Sequence, residues 1–178
     1  LMRLGMTVDE AGASDVLVAQ SEQERRRIWQ ARRLISPTLT SACRHKVSED
    51  ICVPRGSMIE MIRRIEKLNQ ESPFTIACYG HYGDGNLNVN VLCDDDTQDP
   101  AVAARLESIV RKIFEHTNDL RGTLIGEHGI GLSKRDYMPM EQGPAILEWQ
   151  RRWKAMWDPR DLLNPGKVLP ARPRACHE

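Results

Sequence analysis

The chain has 178 residues, and its 25 basic and 25 acidic side chains give a formal net charge of zero at pH 7. This balance provides no electrostatic attraction to nucleic acid or to an anionic membrane surface. No apolar run approaches the roughly 20 residues of a membrane-spanning helix. The five cysteines are odd in number and include no CxxC pair, which argues against a disulfide framework and a cysteine-rich metal site. We therefore expect a protein of the reducing cytoplasm.

The length is that of one compact domain with its own core, since domains commonly contain about 100–150 residues. We therefore interpret residues 1–178 as a single domain. Because the first residue is Leu1 rather than an initiator methionine, we also expect the chain to belong to a longer protein.

The first predicted elements are a short buried strand over residues 15–20 and a helix for which Ser21 and Glu24 form a capping box. We expect this helix to end before Pro37, since the residue that precedes a proline disfavours helical backbone. The apolar positions of the helix recur at helical spacing and predict a stripe that faces the core. Among its arginines, Arg32 is the one that we expect to be half-buried.

The segment from Val47 to Ile125 has the predicted order strand, helix, strand, strand, helix, strand. This order is that of the ferredoxin-like split βαβ pattern. It predicts an α+β fold with a ferredoxin-like antiparallel sheet and helices on one face. A long helix that begins at Pro144 predicts a C-terminal helical segment, and Pro159 ends this helix.

Two glycine-rich turns concentrate the residues that can do chemistry: GHYGDGNLN at 80–88 and GEHGIG at 126–131. Each turn contains an imidazole, and the second places Glu127 directly before His128. On the strand that follows the first turn, Asn88 and Asn90 fall on the face opposite to the apolar residues. Since asparagine is depleted in strands, this face is expected to meet something polar.

Several interpretations of these turns compete. A phosphate-binding loop is excluded because a strand, rather than a helix, follows the first turn. A tight hairpin explains the glycines and the polar residues between them, but it does not explain His81 or the second turn. A metal site would join His81, Asn88 or Asn90, and Glu127 around zinc, manganese or iron. General base catalysis by His128 is compatible with such a site, because a metal can polarise the hydroxyl whose proton the base accepts.

Four motifs carry a resemblance to a known family: EDICVPRGS (49–57), GHYGDGNLN (80–88), GEHGIG (126–131) and DPRDLLNPGK (158–167). Their order resembles that of the carboxy-terminal half of FAD-linked 2-hydroxy-acid dehydrogenases. This group includes the glycolate oxidase flavoprotein subunit and the D-lactate and D-2-hydroxyglutarate dehydrogenases, within the vanillyl-alcohol-oxidase superfamily. The resemblance implies a cap or substrate domain that closes over FAD held by a separate amino-terminal domain, which is absent from this sequence.

The resemblance also implies a metal centre. Its ligands would be His81 and Glu127, with a third ligand at the position of Asn88. The family usually has histidine at that position, and a carboxamide is a poor zinc ligand but an acceptable one for harder cations. The sequence therefore leaves open a divalent metal that is weaker, different or absent.

Further roles follow from the same resemblance. His128 is implied to be the catalytic base. Arg32 is implied to pair with the substrate carboxylate, which suits a bidentate guanidinium, and Asn90 to contact the substrate. Asn164 is implied to approach the flavin, and we place Glu127 with it as a cofactor-binding residue.

We therefore expect a flavin-dependent enzyme that oxidises a small 2-hydroxy acid, of glycolate or D-lactate type, with hydride transfer to FAD. This fragment alone should be inactive, because the FAD domain is missing. The alternatives are a metal-dependent hydrolase and a non-catalytic docking or dimerisation module. Expected partners are the substrate, the FAD domain of the same protein, and an iron–sulfur subunit or a second copy of the chain. A peripheral place at the inner membrane would come only through such partner subunits.

Overall fold

The computed structural model describes residues 2–14 and 17–171. These residues divide into two compact units at the junction between Ala42 and Cys43. No helix in the two described ranges has the length and apolarity needed to cross a membrane. The interpretation of residues 1–178 as a single domain stays a prediction.

The first unit contains helices α1 (Met2–Glu10) and α2 (Glu22–Ser41). Ser21 caps α2, since its Oγ accepts the N–H of Glu24 at 3.2 Å. The Glu24 carboxylate accepts the N–H of Gln20 at 2.6 Å. The capping interaction is therefore present, with its return bond one residue before the cap.

Helix α2 continues through Pro37 to Ser41, so the prediction that it would end before Pro37 was wrong. Proline has no backbone N–H, and at this position it cannot donate to the carbonyl of Arg33. Pro37 is exposed, so water can serve that carbonyl. The next turn is reinforced by Thr40 Oγ1, which donates to the Ser36 carbonyl at 3.0 Å. The helix therefore tolerates the proline.

Two other expectations for the first unit were wrong. Residues 17–20 form no strand, and Leu17 is exposed, while Asp15 and Val16 lie outside the described residues. The apolar stripe of α2 includes no buried residue, although Arg32 is half-buried as predicted. Periodicity indicated which side of the helix is apolar, but it could not indicate whether the same unit covers that side.

The described part of the second unit contains strands and helices in the predicted order. They are β1 (His45–Cys52), α3 (Met58–Glu71), β2 (Thr75–His81), β3 (Asn86–Cys93), α4 (Pro100–Asp119), α5 (Met138–Glu141) and α6 (Pro144–Trp157). The strands form one antiparallel sheet in the order β1-β3-β2. The predicted α+β class and the C-terminal helical segment are confirmed.

The fourth strand, predicted near residues 122–125, is reduced to a single bridge on the outer edge of β1. Thr123 pairs antiparallel with Cys52 through backbone bonds of 2.7 and 3.0 Å. At the next ladder position the carbonyl of Asp50 accepts from Gly126 N–H at 3.2 Å, one residue out of register, and from Lys134 Nζ at 2.6 Å, so the regular pairing does not continue. The N–H of Leu124, which points away from β1, donates to Glu141 Oε2 at 2.8 Å.

One face of the sheet packs against α3 and α4 and forms the core. Its most deeply buried members come from all three elements: Ile51, Val89 and Val91 from the sheet, Met61 from α3, and Ile113 and Phe114 from α4. Burial of these side chains is the main stabilising contribution to the unit, at about 1.5–3 kcal/mol for each large apolar residue. The opposite face of the sheet is left for polar residues.

Asp158 joins the end of α6 to the tail. Its carboxylate pairs with the ammonium of Lys154 and accepts the N–H groups of Leu162 at 3.0 Å and Leu163 at 2.8 Å. The hydrogen bond from Lys154 is the largest of the effects that lower the pKa of Asp158 to about 2. The ionised carboxylate is therefore part of the folded junction.

We expect Asp158→Asn to destabilise this junction at neutral pH but not near pH 2. A carboxyl group whose pKa is depressed in the folded state stabilises the fold above its ordinary pKa of 3.8, and the contribution is lost as the pH falls through the folded-state value. Chemical unfolding of both proteins across this range, followed by the fluorescence of Trp149 and Trp153 in α6, measures the effect. A difference between the two proteins that stays constant with pH would contradict the assignment.

Candidate active site

The sheet face opposite the core gathers the polar residues of the three strands. Directly paired residues share a face, and the register places three rows on this one: Ser48–Asn90–Ala77, Asp50–Asn88–Tyr79 and Cys52–Asn86–His81. The polar environment predicted for the asparagine face of β3 is therefore present. Both glycine-rich turns adjoin the end of this face at which β3 begins.

The first turn connects β2 to β3 and leaves His81 exposed at the end of β2. Gly85 has φ +80°, a conformation that glycine adopts without strain, and its carbonyl accepts the N–H of Val53 at 3.0 Å. A side chain at Gly85 would collide with the Val53 carbonyl. Asp84 Oδ1 accepts the N–H of Asn86 at 3.1 Å. The hairpin interpretation therefore accounts for the glycine and aspartate of this turn.

The second turn is held by a buried carboxylate. Asp50, on β1, is 1% exposed, and its Oδ2 accepts three consecutive backbone N–H groups. Their donors and N···O distances are Gly126 at 3.1 Å, Glu127 at 2.6 Å and His128 at 2.8 Å. Burial alone would raise the pKa of Asp50, but the hydrogen bonds from His128, Glu127 and Asn86 outweigh it and lower that pKa. Asp50 is therefore an ionised anchor for the turn.

Asn86 links the two turns. Its Nδ2 donates to Asp50 Oδ1 at 2.8 Å, and its Oδ1 accepts from Asn88 Nδ2 at 3.3 Å. One continuous set of hydrogen bonds thus runs from the start of β3 through Asp50 to the turn that carries His128. Buried polar networks of this kind fix geometry when each member is satisfied.

The side chains of Glu127 and His128 project from the anchored turn into solvent. Each is more than half exposed, with relative side-chain accessibilities of 64% for Glu127 and 62% for His128. The imidazole lies between two carboxylates: its Nδ1 is 3.9 Å from Asp50 Oδ2 and its Nε2 is 3.7 Å from Glu127 Oε1. The ring therefore has a carboxylate near each of its two nitrogens, on a backbone that Asp50 anchors.

Beneath the same turn lies a buried lysine. Lys134 is 4% exposed, and its ammonium donates to the carbonyls of Asp50 and Leu124, both at 2.6 Å. Its Nζ is 3.5 Å from Oε2 of Glu49, which is also buried. Burial raises the pKa of Glu49 and lowers that of Lys134, and the attraction between the two groups opposes both shifts. The pair joins β1 to the segment that follows the turn.

Asn90, which the resemblance assigns to the substrate, lies inside the sheet and is 1% exposed. Its Oδ1 accepts from Ser48 Oγ at 2.8 Å, and its Nδ2 donates to the carbonyls of Asn88 at 3.2 Å and Ala77 at 3.4 Å. The carboxamide is thus engaged by its neighbours on the polar face. Its contact with a substrate stays a prediction.

The remaining candidates lie on different parts of the chain. Arg32 belongs to α2 in the first unit. Asn164 is exposed in the tail after α6, with φ +50°. The tail adjoins the second turn, because the N–H of Val168 donates to the carbonyl of Gly131 at 2.9 Å. Their roles stay predictions.

The donor set predicted for a metal fits a divalent cation only in part. His81 and Asn88 share the polar face, and Glu127 projects from the turn anchored on that face. Within residues 2–14 and 17–171, no three side chains of the types His, Cys, Asp and Glu are grouped closely enough to hold a metal ion. Two strong donors and one amide oxygen are therefore what the described residues offer.

The chain belongs to a family of flavoenzyme domains. The family model for FAD linked oxidases, C-terminal domain, matches residues 3–168, which is nearly the whole chain. The motifs that carry the resemblance, the α+β fold and the two turns all fall within this match. The predicted family is therefore confirmed.

Three curated relatives illustrate the family. The chain is 32% identical to a D-2-hydroxyglutarate dehydrogenase of Stutzerimonas stutzeri over 166 residues, 92% of this chain and 35% of the relative. It is 34% identical to the glycolate oxidase subunit GlcD of Escherichia coli K12, over 94% of this chain and 33% of the relative. It is 35% identical to a probable mitochondrial D-lactate dehydrogenase of Danio rerio, over 89% of this chain and 32% of the relative. The chain thus spans about a third of the length of these proteins.

No functional role was predicted for Asp50, Glu49 or Lys134, and Asn86 was predicted only as part of the hairpin turn. A signal for Asp50 was present in the sequence, because aspartate is depleted in strands and Asp50 lies within the predicted strand that became β1. No comparable signal marked Lys134, since a lysine after a glycine-rich turn usually lies in solvent. Only the structure reveals that it is buried against β1.

Proposed function

We propose that this chain is the substrate-facing domain of a flavin-dependent dehydrogenase that oxidises a small 2-hydroxy acid, of glycolate or D-lactate type, to the 2-oxo acid. The observation that carries the proposal is the turn in which exposed His128 and Glu127 stand on a backbone fixed by buried Asp50. Family membership and the printed names of the relatives support the reaction class.

In this proposal His128 accepts the proton of the substrate hydroxyl. Its imidazole is exposed, so a substrate can reach it, and the carboxylates of Asp50 and Glu127 stand near its two nitrogens. A positioned imidazole is the side chain that most often acts as a general base in enzymes. For Arg32 and Asn90 the assignment to the substrate comes from the resemblance, and a guanidinium fork suits a carboxylate.

FAD, when bound, supplies the acceptor for the hydride that leaves the substrate α-carbon. The cavity that Asn164 lines with Arg151, Lys154 and Lys167 has a volume of about 260 Å³, below the roughly 300–1,000 Å³ of pockets that enclose a whole small ligand. This cavity is therefore too small to enclose the whole cofactor. In the proposal another domain binds most of the FAD, and Asn164 and Glu127 approach it from this chain.

The proposal includes a divalent metal near His81, Asn88 and Glu127. We expect Asn88→His to raise the affinity of the protein for zinc, because it replaces an amide oxygen by an imidazole nitrogen. The increase should be at least roughly 10–100-fold, since the loss of a residue that only supports a metal ligand already lowers metal affinity by that factor. Zinc titration with elemental analysis measures the change. Adding His81→Ala to the same variant should remove the gain, and equal zinc affinity of the Asn88→His and unaltered proteins would argue against a site at this position.

A substrate panel on the full-length flavoprotein, with an artificial electron acceptor, tests the proposed reaction. Glycolate, D-lactate and D-2-hydroxyglutarate represent increasing substrate size, and we expect turnover with at least one. Turnover with none, together with ester or amide hydrolysis that needs no flavin, would favour the hydrolase alternative. A cytoplasmic location, and an iron–sulfur subunit or a second copy of the chain as partner, stay predictions.

A further inference from the structure

We propose that Asp50 is a positioning residue of this enzyme: its carboxylate fixes the backbone of residues 126–128 and thereby sets where Glu127 and His128 project. The expected effect on turnover rests on the proposed function. The claim that Asp50 orders the backbone of residues 126–128 does not depend on it. Asp50 would touch neither substrate nor flavin, because it is 1% exposed beneath the turn.

Three hydrogen bonds from the turn converge on one atom of Asp50. Asp50 Oδ2 accepts N–H groups from three consecutive residues at 2.6–3.1 Å, and these residues belong to no helix or strand. The other backbone bonds near this stretch are from Gly126 N–H to the Asp50 carbonyl at 3.2 Å and, further on, to the carbonyls of Ile130 and Gly131. For the N–H groups of Glu127 and His128, the carboxylate is the acceptor that the structure shows. Bonds to an ionised acceptor are about twice as strong as neutral ones, so this carboxylate is the dominant restraint on the turn.

The backbone of the turn at Gly126 also approaches the Asp50 carboxylate closely. A side chain at Gly126 would overlap both Asp50 Oδ1 and Asn86 Nδ2. Only a residue without Cβ lets the backbone N–H groups reach the carboxylate in this way. The glycine that opens the GEHGIG motif is therefore explained by the anchor rather than by a positive φ, since Gly126 is not among the residues with one.

Asp50 is itself held in place by its neighbours. Asp50 pairs with Asn88 in the β1–β3 ladder. Its main-chain carbonyl accepts from buried Lys134 Nζ at 2.6 Å, and its Oδ1 accepts from Asn86 Nδ2 at 2.8 Å. A functional group is held accurately when the residue that supports it is locked by packing and further hydrogen bonds. Asp50 meets this condition on its backbone and on both carboxylate oxygens.

The decisive experiment replaces Asp50 by asparagine and then exchanges the two partners. In Asp50→Asn the turn N–H groups lose their ionised acceptor. The new NH₂ group also faces Asn86 Nδ2 donor to donor, unless Asn86 reverses its amide and gives up the hydrogen bond that it accepts from Asn88 Nδ2. In the double variant Asp50→Asn/Asn86→Asp, the carboxamide oxygen at position 50 can accept the turn N–H groups, and its NH₂ group can donate to the new carboxylate at position 86. That carboxylate can still accept from Asn88. The exchange therefore restores the hydrogen bonds in a different arrangement of charge.

In the full-length flavoprotein we expect Asp50→Asn to lower kcat by about 100-fold, the effect of misplacing a reacting group by about 1 Å. KM should change by less than about three-fold, because the restraint acts on the base rather than on substrate binding. The exchange variant should recover at least about ten-fold of the lost kcat. Asp99→Asn is the matched control: Asp99 caps α4 through the N–H of Ala101, and asparagine caps a helix equally well.

Amide hydrogen exchange provides a readout that does not need activity. We expect the N–H groups of residues 126–128 to exchange faster in Asp50→Asn and to regain protection in the exchange variant. Unchanged protection in Asp50→Asn, or a folded Asp50→Asn protein that keeps kcat within about three-fold, would overturn the inference. If the single variant does not fold, a folded exchange variant as inactive as His128→Ala would also overturn it, whereas one with kcat within about ten-fold of the unaltered protein would support it.

The two proposals fail in different ways. If the unaltered protein oxidises no 2-hydroxy acid, the proposed function is contradicted. The rate of amide hydrogen exchange at residues 126–128 still decides whether Asp50 orders the turn. If the unaltered enzyme is active and Asp50→Asn changes neither its kcat nor its amide hydrogen exchange, only the positioning role is contradicted.

Discussion

Replacing His128 by alanine in the full-length flavoprotein is expected to lower kcat for 2-hydroxy-acid oxidation by about 10²–10⁴-fold, the usual contribution of a positioned general base. The imidazole is exposed and stands between the carboxylates of Asp50 and Glu127. Alanine removes the proton acceptor but keeps the backbone N–H that donates to Asp50. The turn, and with it the fold, should therefore survive, and steady-state kinetics with an artificial electron acceptor measures the loss.

His45→Ala is the matched control for this prediction. His45 is also exposed, and it lies at the start of β1, paired with Cys93 and away from the two turns. We expect it to keep kcat unchanged. A His128→Ala enzyme with undiminished turnover would remove the proposed base and favour the non-catalytic docking module.

The second large effect is on stability. Lys134→Met is expected to lower the free energy of unfolding by about 3–5 kcal/mol, because it leaves the buried carboxylate of Glu49 without its cation. It also leaves the carbonyls of Asp50 and Leu124 without their shared donor. Denaturant unfolding of the folded protein measures the change, with the midpoint shifting and the slope unchanged.

A double variant separates the charge from the packing. Glu49→Leu/Lys134→Met removes both charges and should recover much of the loss, since apolar replacements of a buried ion pair are often neutral. Lys112→Met, on the exposed side of α4, should stay within about 0.5 kcal/mol of the unaltered protein. A loss below about 1 kcal/mol in Lys134→Met would mean that the pair is solvated and contributes little.

The order of elements could be predicted from the sequence because each has its own periodicity. The apolar repeat of α3 and the alternation in β3 identified a helix and a strand whose buried faces agree with the structure. The polar row that includes Asn88 and Asn90 was also foreseeable, since alternation assigns strand residues to faces without knowledge of their partners. These features depend on local spacing alone.

Features that depend on distant partners could not be predicted in the same way. The last strand failed to form because the carbonyl of Asp50 accepts from Gly126 N–H, out of register, and from the ammonium of Lys134. Helix α2 continues through Pro37 to Ser41, because the proline is exposed and water can bind the carbonyl that it leaves without a donor. In both cases a tertiary or solvent contact overrode the local preference.

The residues of the candidate site show the same difference between local motifs and distant partners. His81, Glu127 and His128 were found from composition and motif, since imidazoles in glycine-rich turns are conspicuous. Asp50 and Lys134 were not, because their importance lies in which backbone groups they reach: three N–H groups for the carboxylate and two carbonyls for the ammonium. Such bonds are made across at least ten residues of chain and leave no periodic signature.

The most direct test of the central claim is anaerobic mixing of the full-length flavoprotein with a 2-hydroxy acid, followed through the visible absorbance of oxidised flavin. We predict that at least one of glycolate, D-lactate and D-2-hydroxyglutarate bleaches the flavin and yields one 2-oxo acid per flavin. The same mixing with the His128→Ala protein should bleach it at least about 100-fold more slowly. Flavin that stays oxidised with all three acids, or that is reduced equally fast without His128, would contradict the account.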